Sequence, residues 1–558
     1  MHHLSKRSWT SFAAILFLAL ALCPLAAQTT LADPNDAIYD DLDAWATKGL
    51  IKNLPRLRPY TQTMILGLLN EVKASGSARD AAEAERYLDI LADKTVHVRA
   101  DVRADTALST SGSSSSLLAA APGLSVNPLI GDHLGVSARV DLWLTKGDTS
   151  SVTPYGSYYD RDFLYGSGSS LGSNLEVTQD VTTDATYGDE NMGVQAGFMR
   201  GSWGPVYDDG VVIGPQSPHS GQFTFSWRTP SLTTDVGLFM LRQGWQDTGF
   251  SSNKYLMIHG INWAPSPWLE LGIYESMVMV DRFEPLYLIP LSEYFYSQSF
   301  SNYADNSLAG ISASIYLPQA MKLDLVAYAD DLNFAGILKG DWDTKWKMAA
   351  QAALSWAPEL PLLQRLSLDY TAVFPYTYTH WETTGTDAAG NSYNGALAYT
   401  NAGENIGPAL DPNSDRVTIK AKSRTVDGFQ LTGLARLIRH GNASEGVNGY
   451  TNSTSASGDA SGDLQDSGTM YNNGAYTYIF QGDYDTGTSP SYFRFLTQSV
   501  LQISAQTGID LTYTRPIQGL GTANFDFGYL FEYIANDGCV SGVTSIKHYL
   551  SFSAGLQF

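Results

Sequence analysis

The sequence predicts an all-β transmembrane β-barrel of about 18 antiparallel strands, preceded by a small α-helical bundle. The final segment, residues 545–558, alternates apolar and polar residues and ends on Phe558. Such a strand can face lipid on one side and water on the other, although it would also suit a soluble sandwich. The same alternation recurs along most of the chain. Beyond the N-terminus no stretch approaches the roughly 20 continuous apolar residues of a membrane-spanning helix, so a membrane protein of this sequence must close its sheet.

Residues 1–32 are predicted to be an export signal peptide. Lys6 and Arg7 precede a run of eleven apolar residues, which is too short to span a membrane. Cleavage after Ala27 and cleavage after Ala32 are both compatible with the sequence.

Composition and cysteine content limit the partners and cofactors. The chain has 34 Lys and Arg against 56 Asp and Glu, a net charge of −22, which argues against nucleic acid or anionic lipid headgroups as general partners. Of the two cysteines, Cys23 lies in the leader and Cys539 would remain alone in the mature chain. An internal disulfide and a cysteine-based metal site are therefore excluded, and we expect no metal and no cofactor.

Residues 33–94 are predicted to form a periplasmic helical bundle. Gly49 is placed to end a first helix, and Pro59 with Thr61 to open a second. The apolar residues that recur at helical spacing are Ile38, Leu42, Trp45, Ala46, Met64, Ile65, Leu68, Leu69, Val72, Ala84, Tyr87, Leu88 and Leu91. So small a bundle should dock on the barrel. It would act either as a plug or partner-docking element, or as a structural cap.

From residue 95 the hydrophobic period changes from 3.6 to 2. In the first segment Val96 to Ala104 alternate with His97, Arg99, Asp101, Arg103 and Asp105. Many such segments reach the ~9–11 residues that a tilted membrane strand needs, and their polar phase carries charges. Residues 95–558 are therefore assigned to the barrel. Its last strand should pair with the first, near Val96 to Ala104, to close the sheet.

Three polar tracts are predicted to be long extracellular loops, near residues 147–189, 382–400 and 440–491. They are rich in Ser, Gly, Thr and Asp, a composition that cannot bury a core.

A series of short motifs resembles one family of outer-membrane proteins. The pieces in question are 49–51, 58–60, 200–205, 254–259, 263–275, 285–290, 305–306, 330–331, 376–380 and 403–415. Their order and spacing resemble the Wzi-like capsule-assembly outer-membrane proteins, over about residues 36–558. The resemblance implies a barrel of about 18 strands, a periplasmic helical bundle, and a role in holding surface or capsular polysaccharide at the cell surface. The long polar loops are not part of that pattern.

Phe558 on the apolar phase also resembles the C-terminal signal of bacterial outer-membrane barrels. We therefore expect outer-membrane lipid and the barrel-assembly machinery as partners, and a location in the cell outer membrane. The residues assigned to this signal are Phe552, Leu556 and Phe558.

The residues proposed to contact ligand are Arg200, Trp203, His259, Glu275, Arg282, Asp305 and Asn306. An aromatic face can stack on a sugar ring, and a guanidinium can bind a uronate carboxylate through two hydrogen bonds. The competing interpretation places Trp203 in an interfacial aromatic girdle beside a Gly201–Pro205 turn.

Glu275 falls in the apolar phase of its strand, where a charge facing lipid would be destabilising. Either the strand has left the membrane by this point, or a bulge turns the side chain inward towards Arg282 or Arg200.

No catalytic residues are predicted, because His, Ser and Asp residues occur without the spacing of a catalytic set. The function favoured is therefore a non-enzymatic barrel that binds or anchors surface polysaccharide. A porin or substrate-selective channel is the first alternative, and an adhesin acting through the long loops is the second.

Overall fold

The computed structural model describes most of the chain outside the leader and the longest polar tracts. The described residues are 33–92, 96–159 (except 111, 127–128 and 131–132), 169–170, 175–206, 209–242, 254–289, 294, 297, 300, 305–332, 339, 346–378 (except 376), 384–386, 392–394, 397–441 (except 403), 495–518 and 521–558. The predicted signal peptide, residues 1–32, and most of the tract 440–491 lie outside them.

The predicted helical N-terminal part is confirmed. Helices α1, α2 and α3 span Ala37–Thr47, Gln62–Ser75 and Ala78–Ala92. Gly49 adopts a positive φ of 76° just beyond α1, and Thr61 occupies the N-cap position of α2. The apolar stripes of the three helices pack against one another in a single buried cluster. None of these helices, within the described part of the chain, is long and apolar enough to cross a membrane.

The predicted barrel is confirmed: eighteen strands among the described residues form one closed antiparallel sheet. In chain order β1–β18 are Val96–Ser109, Ser115–Val126, Leu134–Lys146, Glu176–Gly188, Met192–Met199, Ser220–Arg228, Leu232–Leu241, Lys254–Ser266, Leu269–Val280, Asn306–Leu317, Met321–Leu332, Trp346–Trp356, Leu363–Val373, Ser414–Ser423, Phe429–Gly441, Leu501–Ile517, Gly521–Ala535 and Thr544–Gln557.

The barrel closes between its first and last strands, as predicted. Strand β1 pairs with β18 from Arg99 opposite Gln557 to Ser109 opposite Lys547. The backbone N–H of Phe558 then donates to the Val98 carbonyl at 2.8 Å. The C-terminus and the helical bundle consequently lie at the same, periplasmic end, where the strand connections are short.

The alternation of the sequence sorts side chains between lumen and lipid. On β3, Asp141 faces inward and is buried, whereas the next residue, Leu142, faces outward and is exposed. The same division holds on β18, where Tyr549 is buried in the lumen and Phe552 is exposed.

The prediction of a loop over residues 147–189 was wrong for the second half of that range. Strand β4, Glu176–Gly188, occupies that part and pairs with β3 along its whole length, from Tyr187 opposite Leu134 to Glu176 opposite Thr145. Its composition is polar, but its many threonines are β-branched and suit a strand once neighbours supply the ladder hydrogen bonds. Within the predicted loop 382–400, a small hairpin pairs Thr384–Thr386 with Ser392–Asn394.

Candidate functional site

The N-terminal segment enters the lumen and is held there by buried charges. Arg56 Nη2 donates to Glu270 Oε2 at 2.9 Å, to Asn262 Oδ1 at 3.0 Å and to Ser314 Oγ at 3.2 Å. The Arg56 backbone N–H donates to Asp235 Oδ2 at 2.8 Å. These partners belong to the inner faces of β7–β10, so a single arginine ties the segment to four neighbouring strands.

Helix α1 is fixed by two aspartates to the adjoining part of the wall, the strands that follow β10 around the barrel. Asp43 pairs with Lys322 at 2.6 Å and with Arg365 at 2.9 Å. Asp40 pairs with Lys422 at 2.5 Å and with Arg365 at 3.2 Å. Burial raises the pKa of Asp40, but Lys422, Lys420 and Arg365 outweigh it and hold that pKa well below its usual range. Both carboxylates are therefore ionised partners of the cations of β11, β13 and β14.

Two other acids near α1 behave in the opposite way. Burial raises the pKa of Asp41 to about 6 against the lowering effects of Lys422 and of the hydrogen bond from Tyr87. Burial and the neighbouring Asp33 likewise raise the pKa of Asp36 to about 6. The docking of α1 is consequently sensitive to mildly acidic pH.

Extracellular connections fill the lumen from the other end. The hydroxyl of Tyr378 donates to the Val211 carbonyl at 2.6 Å, and that of Tyr399 donates to the Val212 carbonyl at 2.8 Å. These two tyrosine rings stack with centroids 5.5 Å apart. Lys254 Nζ, which is buried, donates to the Ala398 carbonyl at 2.7 Å. The connection between β13 and β14 is thus bound both to the connection between β5 and β6 and to the barrel wall.

Arg200 and Trp203 lie inside this packing. The short strand Ser202–Trp203 pairs with Leu57–Arg58 of the N-terminal segment, and the Trp203 ring packs on Tyr274 with centroids 6.1 Å apart. Both Arg200 and Trp203 are 2% exposed. The girdle interpretation of Trp203 is therefore wrong, because the side chain faces the lumen and not lipid. In this conformation neither residue presents a surface to a polymer, and their evident role is to position the connection between β5 and β6.

His259, Glu275, Arg282 and Asp305 come together on the outer wall of the barrel. Glu275 lies opposite His259 in the β8–β9 ladder, with 3.9 Å between His259 Nε2 and Glu275 Oε2. Glu275 Oε2 also accepts from the Tyr294 backbone N–H at 2.7 Å. Arg282 forms ion pairs with Asp305 and, at 3.7 Å, with Glu284.

The predicted bulge that would turn Glu275 inward is not found at this residue. The residue lies within β9, and the register irregularity of the β8–β9 pair falls between Trp263 and Ser266. Its side chain stays on the outward phase because Tyr294, from the following connection, covers it. Asn306, at the start of β10, faces the lumen instead and donates to the Leu397 carbonyl at 2.9 Å.

Empty space remains along the inner faces of β1 and β16–β18. A cavity of about 670 Å³ at the periplasmic end adjoins one of about 450 Å³, and both are lined by Arg99, Arg139 and Gln557. A third, of about 180 Å³, shares Arg103 with the second. Arg103 pairs with Asp105 at 2.7 Å, and its guanidinium lies 4.8 Å from the centre of the Tyr159 ring. The shared lining residues show that the three spaces lie next to one another along this wall.

These arginines were missed as candidate site residues, although a signal for them was present. Arg99, Asp101, Arg103 and Asp105 form the charged phase of the first alternating segment, and a strand places every second residue on one face. They therefore had to line the lumen together. Arg139, which shares Asp141 with Arg99, comes from β3 and joins them only through the sheet.

A closed eighteen-stranded barrel with a charged, internally packed lumen and an apolar outer wall defines the class: this is an outer-membrane β-barrel protein. Its fold is Wzi-like. The structure of Wzi from Escherichia coli, described as an outer membrane protein involved in group 1 capsule assembly and a carbohydrate-binding β-barrel, superposes with a TM-score of 0.55 at 12% identity, covering 96% of this chain and 99% of Wzi.

Pseudomonas aeruginosa OpdL matches with a TM-score of 0.43 at 10% identity, covering 84% of this chain and 99% of OpdL. OccD3 (OpdP) of the same organism matches with a TM-score of 0.40 at 11% identity, covering 83% of this chain and 91% of OccD3. Comparisons with protein-family models and with curated protein sequences gave no match.

Proposed function

We propose that this protein is a non-enzymatic outer-membrane barrel that binds or anchors surface polysaccharide. The observation that carries the proposal is the occupation of the lumen by the chain itself. Arg56 and the α1 aspartates lock the N-terminal segment to one continuous arc of the wall, from β7 to β14, and Tyr378 and Tyr399 lock the connections above it. Removing one partner of a buried ion pair is costly, so this packing resists displacement by a passing solute.

The likeness of fold to Wzi supports the polysaccharide as the ligand, since Wzi is described as binding carbohydrate. The net charge of −22 bears on which polymer is bound. It repels a polyanion at distances up to the Debye length, about 8 Å at physiological salt, so a neutral glycan meets less resistance at the surface.

Deletion of the gene tests this proposal in cells, with glycan released into the medium as the expected result. The purified, folded protein should in parallel bind the released glycan saturably, with neutral and acidic glycans compared at two salt concentrations. Unchanged retention of glycan on the cells, together with no binding by the purified protein, would reject the proposal.

The adjacent cavities along β16–β18 and β1 favour a second candidate, a narrow channel for small polar solutes. Planar-bilayer recordings discriminate between the two candidates, because a polysaccharide anchor should be silent and a channel should conduct steadily.

If steady conductance is seen, Ser551→Trp should reduce it, because Ser551 lines the smallest of the three cavities, of about 180 Å³. The matched control is Phe552→Trp, one residue further along β18, whose side chain faces lipid. Equal conductance of the two variants would mean that the current does not follow this route.

A further inference from the structure

The segment that follows β9 covers part of the outer barrel wall at a height where the other strands face lipid. We propose that this segment, residues 281–289 together with Tyr294 and here called the strap, is embedded in the outer leaflet and binds its acyl chains. The partner is thus the hydrocarbon of the membrane, and neither a second copy of the chain nor a soluble protein.

The strap covers a methionine-rich patch of the wall. Met257, Met277 and Met279 lie on the outward phase of β8 and β9, yet they are fully buried against Tyr287 and Tyr294. Elsewhere the wall is open at the same height. Met277 lies eight residues above the start of β9 and is 0% exposed, whereas Leu437 lies eight residues above the start of β15 and is 45% exposed.

The covered patch lies within the apolar band of the barrel. From Leu269 to Glu275 the strand advances six residues, which at about 3.3 Å each and a tilt of about 40° is roughly 15 Å along the membrane normal. The outward apolar band of such barrels is about 25 Å tall. Measured from Leu269, Glu275 therefore lies in the upper half of the band, with Met277 at about 20 Å and Met279 at about 25 Å, the upper edge.

The inner side of the strap is held by polar contacts that satisfy the groups at this depth. Tyr294 donates its backbone N–H to Glu275, and its ring packs on His259 with centroids 4.1 Å apart. The Tyr294 hydroxyl donates to the Tyr287 carbonyl at 2.8 Å, and the Tyr287 hydroxyl donates to Asp305 Oδ2 at 3.0 Å. This network covers most of the Glu275 side chain, which is 25% exposed, and gives its carboxylate a hydrogen-bond donor at a depth where an unpartnered charge would be destabilising.

Beyond the exposed Asp281 at its start, the outer side of the strap is mainly apolar. Phe283, Leu286 and Ile289 are 43%, 40% and 49% exposed, while Arg282 and Glu284 pair with each other. Directly below, Ile273 and Ile311 are exposed on β9 and β10 and continue the same surface towards the periplasm. Because the apolar face of the strap is continuous with the lipid-facing wall, acyl chains cover it without any further partner.

Site-directed spin labelling of the full-length protein in proteoliposomes tests the proposal. Nitroxides are attached to Phe283→Cys, Leu286→Cys and Ile289→Cys, and their collision rates with oxygen and with a water-soluble nickel chelate are compared. The native Cys539 is buried, and labelling of the unsubstituted protein serves as the control for any nitroxide that attaches to Cys539. Ile311→Cys on the lipid-facing wall and Leu362→Cys in a periplasmic turn are the lipid and water references.

The three strap positions should show the oxygen-to-nickel ratio of Ile311→Cys, severalfold above that of Leu362→Cys. A ratio equal to the water reference would overturn the proposal. So would low accessibility to both reagents with spin–spin broadening, because that result means that a second copy covers the strap. Each variant is first checked for the heat-modifiable folded form, and Phe283, Leu286 and Ile289 give three independent positions should one fail to fold.

Discussion

Asp41 combines deep burial with a pKa raised to about 6, which makes it a pH-sensitive contact of the helical bundle. Its carboxyl accepts from the Tyr87 hydroxyl at 2.5 Å and also from Gln364. An unfolded aspartate titrates near 3.9, so the folded state holds a proton more tightly. The stabilisation from the protonated form is therefore present in full below about pH 4 and is lost as the pH rises through about 6.

We predict that Asp41→Asn reduces the loss of α1 protection between pH 5 and pH 7. The wild-type loss attributable to this group is at most about 3 kcal/mol for a two-unit shift. Asp36 shares the same shift, so some pH dependence should remain. Hydrogen exchange of the α1 amides, corrected for intrinsic rates, measures the effect. Asp89→Asn on the exposed face of α3 is the control, and a pH response of the Asp41 variant identical to this control would contradict the assignment.

Arg56 is the single cation that joins the N-terminal segment to four strands. We predict that Arg56→Met lowers the free energy of unfolding by roughly 3 kcal/mol, because Glu270 is then left buried without its partner. Denaturant unfolding in detergent, followed by the heat-modifiable band, measures the loss.

The double variant Arg56→Met/Glu270→Leu should recover much of that stability, since an apolar pair of similar volume can replace a buried ion pair. Arg86→Ala, which removes an exposed pair with Glu83, should change stability by less than about 1 kcal/mol. If the double variant is no more stable than Arg56→Met, the loss of stability does not come from an unpaired charge on Glu270.

The two-stranded contact between Leu57–Arg58 and Ser202–Trp203 joins elements from opposite ends of the barrel. Leu57 lies directly opposite Trp203. The neighbouring pair, Arg56 and Gly204, carries a ladder hydrogen bond, because the Gly204 N–H donates to the Arg56 carbonyl at 3.0 Å. Since hydrogen-bonded and non-hydrogen-bonded pairs alternate in an antiparallel ladder, Leu57 and Trp203 form a non-hydrogen-bonded pair. The Cα atoms of such pairs are about 4.5 Å apart, within the range that a disulfide requires.

We therefore predict that Leu57→Cys/Trp203→Cys forms a disulfide under mild oxidation in the folded protein. Mass spectrometry of proteolytic peptides detects the link. Leu57→Cys/Leu362→Cys should form none, because Leu362 is exposed in a periplasmic turn. Absence of the 57–203 link in heat-modifiable, folded protein would contradict the pairing of these two segments.

Strand β4 shows why composition alone misassigned one element. Its outward residues include Gln179 and Thr183, which lack the apolar character that marks the other strands. The pairing with β3 on one side and β5 on the other supplies its backbone hydrogen bonds. The partner β5 follows β4 after a turn of three residues, whereas β3 is separated from β4 by the polar tract that begins at residue 147.

The closed barrel makes the C-terminal residues both a wall component and a candidate assembly signal. Phe558 and Phe525 are 43% and 42% exposed, so each loses similar lipid contact when truncated. We predict that Phe558→Ala lowers the amount of folded protein in isolated outer membranes severalfold, whereas Phe525→Ala does not. The heat-modifiable band measures the folded fraction. Equal losses in both variants would assign Phe558 to lipid contact alone.

The sequence by itself determined that this chain is an outer-membrane barrel with an N-terminal helical part. Period-2 alternation and the closure of the Phe558 strand on β1 are local or terminal features, and lipid permits few solutions for strands of that length. The assignment of His259, Glu275, Arg282 and Asp305 to ligand binding stays a prediction.

Only the tertiary structure decided what each of these residues faces. Trp203 lies in the lumen because Leu57, far away in sequence, pairs with it, and Glu275 remains on the lipid side because Tyr294 covers it. Alternation assigns a side chain to one of two faces but does not tell which other segment packs on that face. That choice depends on long-range burial and on charge pairing inside the barrel, as between Arg56 and Glu270.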